Sequence, residues 1–221
     1  MATAGKDTPR ERYRAQLRAE VKERAWEQIA AAGAAGLSLN AIAKQMGLSG
    51  PALYRYFASR DDLITELIRD AYRSLADTIR TAAASGADLA GLGHALRDWA
   101  LADPQRYFLV YGTPVPGYHA PDDTTAIAAE IMSALLDAAQ SPAIPAQENA
   151  DHQPDAHLEA HLAEHRHWAG DHPAPPAALR RALRFWTRLH GVLSLELAGH
   201  FTGMGLDPAQ LYDNELHHLT P

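Results

Sequence analysis

The chain has 221 residues, 47% of them hydrophobic and 21% charged, a composition that supports a buried core and excludes a disordered polyelectrolyte. It contains no cysteine, which removes disulfide frameworks, thiolate metal sites and thiol nucleophiles. The net charge of −7 is uneven: residues 1–60 carry ten Lys or Arg against five Asp or Glu, the remainder ten against twenty-two, so a module of +5 precedes a body of −12.

No apolar run is long enough to span a bilayer, and the opening MATAGKDTPRERYRAQLRAE lacks the apolar centre of a secretory signal, so a cytoplasmic protein without membrane attachment is expected. From Arg10 to Ala35 the chain reads as one helix, with Tyr13, Leu17, Val21, Ala25 and Ile29 recurring every four residues and a basic start in Arg12, Arg14 and Arg18. Ser38 can cap a second helix whose inward face is Leu39, Ile42, Ala43 and Met46. Gly47 stands where a left-handed C-cap is wanted, Ser49 can cap the next segment, and Pro51 suits a first helical turn because its missing amide had no partner there. A recognition helix over 50–57 follows, then Ser59 and Asp62 as a capping-box-like start to a fourth helix.

Two short helices joined by so tight a turn form a helix-turn-helix, a device for reading DNA, and phosphate neutralisation needs local positive charge rather than a basic protein. The run GLSLNAIAKQMGLSGPALYRYFASRDDL (36–63) resembles the amino-terminal domain of TetR-family transcriptional regulators, with Arg60 where many members carry lysine. The resemblance covers about the first third of the chain, including Val21, Ala25, Ile42, Ala43, Leu53, Tyr54, Tyr56, Phe57 and Leu63.

The fourth helix, 60–84, carries Leu63, Leu67, Ile68, Ala71, Leu75 and Ile79 on one broad stripe and is long enough to leave the DNA-binding unit. Helices are predicted at 88–101, 104–111, 121–139, 177–199 and 207–219, with proline-rich loops at 112–123 and 141–155. The stretch DPQRYFLVYGTPVPGY with Trp186, His190 and Gly191 resembles the carboxy-terminal regulatory domains named for a Trp-His-Gly signature. The expected fold is therefore all-α: a three-helix DNA-binding domain over 1–60, and a helical ligand-binding and dimerisation domain over 61–221.

The leading positions of the recognition segment, Gly50, Pro51 and Ala52, offer no side-chain donors to base edges, so readout falls to Asn40 and Arg55, with Ala52 and Pro51 against thymine methyls. Tyr54 and Tyr56 match positions where the family places phosphate contacts, Arg60 matches the charged residue opening the next helix, and Lys44 can reach a phosphate. Ser38 and Ser49 complete the DNA-facing set. In the second domain Trp99, Tyr107, Phe108, Tyr111, Tyr118, Phe185, Trp186 and His190 form the aromatic collection that the resemblance places at an effector cavity.

The resemblance implies a homodimer on a pseudo-palindromic operator in double-stranded DNA, with recognition helices about 34 to 36 Å apart, released by a small organic effector and needing no cofactor. Two alternatives stand beside it: a metal-responsive regulator using His157, His161 and His165, and an architectural DNA binder without effector. No nucleophile elbow, phosphate loop or framed carboxylate pair is present in the sequence, so catalysis is not expected.

Overall fold

Thr8 opens the first helix. Its hydroxyl accepts from the Glu11 amide while the Glu11 carboxylate accepts from the Thr8 amide at 2.8 Å, a reciprocal box that satisfies two amides left without helical partners. The helix starts at Pro9, one residue before the expected boundary. It ends at Ala32 because Gly33 turns to φ 69°, and a 3-10 turn over Ala34–Gly36 replaces the last residues of the expected helix. The structure, a computed structural model, describes residues 8–113, 115, 118, 121–140 and 153–220. The expected loop at 141–155 lies outside them up to residue 152, that at 112–123 only in part, and α7 and α8 begin inside the expected loop bounds at Asp122 and Gln153.

The described residues form helices α1 (Pro9–Ala32), α2 (Leu39–Gln45), α3 (Gly50–Leu53), α4 (Arg60–Ala84), α5 (Leu89–Ala102), α6 (Pro104–Tyr111), α7 (Asp122–Ala139), α8 (Gln153–Glu164), α9 (Pro176–Leu197) and α10 (Pro208–Leu219), with a second 3-10 turn at His167–Ala169. No strand occurs among them, so the fold is all-α as expected. The chain divides into two compact units, the first comprising residues up to Ala71 with Gln105–Pro121, the second Tyr72–Pro104 with the residues from Asp122 onward.

In the first unit, Leu17, Val21, Ala25 and Ile29 of α1 are buried with Leu39, Ile42 and Ala43 of α2, Leu53, Phe57 and the first half of α4. Each fully buried aliphatic side chain contributes roughly 1.5–3 kcal/mol relative to exposure. Tyr13 departs from its expected place in this row and is 62% exposed. Tyr107 of α6 is fully buried in the same unit and meets Phe108 edge-on, with ring centroids 5.6 Å apart.

In the second unit α9 packs against α5, α7, α8 and α10, which is why its apolar face is so wide. Gly93 of α5 lets α9 and α10 approach: a Cβ there would lie 2.4 Å from Leu216 and 3.3 Å from Phe185. The buried Tyr212 hydroxyl donates to the Gly93 carbonyl at 2.7 Å, and Arg97 pairs with Glu196 at 2.6 Å. Helix α8 is tied to α9 by buried Leu162 and by Arg180, which reaches Asp155 at 3.0 Å and Glu159 at 2.8 Å.

Candidate DNA interface and aromatic clusters

The turn between α2 and α3 is closed by backbone geometry. Gly47 adopts φ 67°, its amide donates to the Lys44 carbonyl at 3.2 Å, and the Leu48 amide reaches back to the Ala43 carbonyl at 2.8 Å. This is the paired closure that lets a helix end abruptly without orphaned carbonyls. Ser38 caps α2 as expected, accepting from the Ala41 amide at 3.3 Å, and its own amide donates to Gln28 of α1 at 2.9 Å.

Ser49 occupies the cap position of α3 but makes no side-chain cap bond, contrary to expectation. The reason lies in the next residues: Pro51 has no amide to offer, and the Ala52 amide is taken by the Ser49 carbonyl at 3.0 Å. The expected recognition helix over 50–57 is likewise shorter, ending at Leu53. Beyond it the chain mixes bonds three residues long, from Arg55 to Ala52 and from Tyr56 to Leu53, with a four-residue bond from Phe57 to Leu53, as Phe57 turns into the core.

Arg18 of α1 holds that turn, and its role has no signal in the sequence. Its guanidinium donates to the Tyr56 carbonyl, pairs with Glu66 at 3.2 Å and lies 4.3 Å above the Phe57 ring. Arg60 works in a similar way. Its Nη2 donates to the Ala34 carbonyl at 2.7 Å and its Nε to the Leu37 carbonyl at 3.2 Å, so this guanidinium clamps the 3-10 turn. Asp62 accepts from the Ala58 amide at 3.0 Å while Ser59 accepts from the Asp62 amide at 3.0 Å, so the reciprocal half of the expected capping box falls on Ala58 rather than on Ser59.

With these brackets facing inward, the remaining candidates face outward. Asn40, Lys44, Ser49, Pro51, Tyr54 and Arg55 are exposed, while Ser38, Gly50, Ala52 and Tyr56 are half-buried. A Cβ on Gly50 would lie 3.2 Å from Asn40 Oδ1, so the starts of α2 and α3 form one surface.

The aromatic residues form separate clusters in the two units. In the first, Tyr107 packs with Phe108 and Tyr111, and the Tyr118 and Thr65 hydroxyls share a hydrogen bond of 3.1 Å. In the second, Trp99 donates to the Ser74 hydroxyl at 3.1 Å, Phe185 is fully buried, and the Trp186 and His190 rings lie 4.1 Å apart. Burial pushes His190 down to about 4, so its imidazole is neutral at physiological pH.

His157, His161 and His165 are all exposed. The rings of the last two stack at 4.2 Å, but His165 lies past the end of α8 and its Nδ1 sits 3.0 Å from the His161 carbonyl. Glu159 is engaged by Arg180, and no group of three metal-ligating side chains is assembled among the described residues. His152 lies outside them. No helix of the described residues is long and apolar enough to cross a membrane.

Residues 23–67 match the family model described as bacterial regulatory proteins, tetR family, and residues 89–219 match that of the tetracyclin repressor-like, C-terminal domain. The chain is 37% identical over 212 residues to the HTH-type transcriptional regulator Rv1816 of Mycobacterium tuberculosis, covering 90% of this chain and 89% of that one. It superposes on a crystal structure of SCO4313, described as a regulatory protein, with TM-score 0.86 and 67% identity over 96% of this chain and 98% of the other. A protein of unknown function from Rhodococcus sp. RHA1 shares the fold alone, at TM-score 0.62 and 21% identity with both chains fully covered. On these matches and on the helix-turn-helix described above, the chain belongs to the TetR family and is a DNA-binding transcriptional regulator.

Proposed function

We propose that this regulator is a homodimeric repressor that reads a palindromic operator and is released from it by a small, partly apolar organic effector. Within the DNA-binding unit, Asn40 and Arg55 read base edges, Pro51 and Ala52 meet thymine methyls, and Lys44, Tyr54 and Tyr56 hold phosphates. The observation that supports this assignment is a division of labour in the DNA-binding unit: the bonds that fix the path of the chain come from Gln28 at the start of α2, Arg60 at the 3-10 turn and Arg18 after α3, leaving the outward side chains uncommitted. Arg60 then acts mainly by positioning, as the clamp of the turn.

The effector reading is supported by the neutral, buried His190 against the Trp186 ring in the second unit, a pairing suited to an uncharged organic molecule. Support for the dimer comes from exposed Leu195 on α9 and from exposed Met204 and Leu206 after it, apolar side chains that a second copy would cover. We read the chain as a regulator without catalytic activity, acting in the cytoplasm. The stacked pair His161 and His165 has no third ligand among the described residues, and the metal-responsive alternative is not carried further.

Capture of genomic fragments by the purified protein, then titration of the best site, tests the reading. One palindromic motif bound far above random DNA is the expected result; uniform binding would leave only an architectural binder. Arg55→Ala should weaken the site by about 1–3 kcal/mol and relax preference at one position in each half-site. Any effector found must lose affinity in the presence of operator by the same factor that operator loses in its presence. Independent titrations would remove the release mechanism.

A further inference from the structure

The first two turns of α1 present a basic face that the first unit does not use. Every residue from Thr8 to Gln16 is exposed, while Leu17 and Val21, the next residues on the helix's inward side, are buried. Tyr13 and Arg14 stand four and three residues before Leu17 and Arg10 stands seven before it, so all three share the face of Leu17 and Val21. The inward row of α1 thus changes from aliphatic to guanidinium and phenol where the core ends.

Among the described residues this row is electrostatically uncompensated. Glu11 is the only acid between Thr8 and Arg18, and its carboxylate is occupied by the Thr8 amide and hydroxyl, both at 2.8 Å. Among the described residues Arg10, Arg12 and Arg14 have no acidic partner at ion-pair distance, whereas Arg18, Lys22 and Arg24 pair with Glu66, Asp70 and Glu27. The basic residues over the core are neutralised locally; those beyond it are left for something else.

Arg18 gives the row its direction. It donates to the Tyr56 carbonyl, at the end of the turn that presents Tyr54 and Arg55. Arg14 lies one turn earlier, about 6 Å along the helix axis, and Arg10 about 12 Å. The positive row therefore leads away from the reading turn as a continuation of its edge.

The geometry points to a second DNA contact outside the helix-turn-helix: Arg10, Tyr13 and Arg14 grip the phosphate backbone of the duplex flanking the half-site. The inference rests on the DNA-binding reading of α2 and α3. Phosphate is the ligand because the face offers guanidinium and phenol donors at one edge of a surface that already meets a polyanion. It adds affinity and register without choosing sequence.

The test compares the wild-type protein with Arg10→Ala/Arg14→Ala and Arg10→Lys/Arg14→Lys, using duplexes recovered by the wild-type protein from a random-sequence library. Each phosphate contact contributes about 0.9 to the slope of log affinity against log salt, so the alanine variant should lose about 1.8 per bound protomer while keeping the same motif. The lysine variant should keep the wild-type slope. Both substitutions fall on exposed residues of good helical propensity, and circular dichroism checks that α1 persists. An unchanged slope in the alanine variant, or a lysine variant as impaired as the alanine one, would overturn the contact while leaving the helix-turn-helix reading intact. Absence of any wild-type binding would overturn both.

Discussion

The two units of this regulator use bonds from side chain to backbone in different places. In the first, long polar side chains bond to backbone: Arg18 to the Tyr56 carbonyl, Arg60 to the Ala34 and Leu37 carbonyls, Gln28 to the Ser38 amide. In the second, Arg181 and Arg166 also reach carbonyls, those of Ala139 and His172, but the packed centre is made by side chains meeting side chains, as in the Arg97–Glu196 pair and in Phe185 and Leu216 around Gly93, beside the bond from Tyr212 to the Gly93 carbonyl. A bond to a carbonyl fixes the path of the chain whatever side chain that residue carries. The first unit can therefore hold its turns rigid while its outward residues stay free of the scaffold, whereas the second must change its core to change its shape.

The contrast is broken most directly in the second unit. Phe185→Ala removes a fully buried ring and should cost about 3–5 kcal/mol in chemical denaturation. Arg18→Ala probes the bonds to backbone: it leaves the Tyr56 carbonyl without its donor and Glu66 with Arg69 alone, at about 2 kcal/mol, and should weaken operator binding as well because the turn after α3 loosens. If stability falls and DNA affinity does not, the bracket has no positioning role.

A pH titration separates the units without disturbing packing. His190 is held near 4 in the folded chain against 6.5 as its ordinary value, so below pH 6.5 the unfolded chain takes up a proton that the folded chain refuses. Stability present at pH 7 should fall by about 2 kcal/mol at pH 5 through this group alone. The difference in unfolding free energy between wild type and His190→Gln, measured across that window, reads it out; parallel curves would show that His190 does not titrate this way. The smallest effect sharpens the comparison within the first unit. Ser38→Ala should cost about 1 kcal/mol through its lost cap, while Ser49→Ala should stay within about 0.5 kcal/mol, since its hydroxyl makes no cap bond.

Helix positions were legible because their punctuation is local. Asp88 and Asp207 cap α5 and α10, Pro104 opens α6, and the limits of α4 fell where the stripe from Leu63 to Ile79 placed them. Tyr13 misled because four-residue spacing continues past the point where there is a core to meet. The length of α3 misled because Ala52 to Phe57 has acceptable helical propensity, and what shortens it is tertiary: Phe57 drawn inward and Arg18 on the Tyr56 carbonyl. The clamps themselves were invisible, since a guanidinium reaching a carbonyl 23 or 26 residues away leaves no periodic trace. The outward positions of Asn40 and Arg55 were legible, since their exposure follows from the inward stripe of α2 and α3; that they read base edges is the proposal made above.

The segment from Ser49 to Tyr56 is fastened at both ends, by the Gly47 and Leu48 backbone closure before it and by Arg18 and Phe57 after it. Its interior makes one buried commitment, Leu53. The stretch therefore has the form of a cassette: residues 51, 54 and 55 are exposed between two fastened ends, so exchanging them should leave the scaffold that carries them intact.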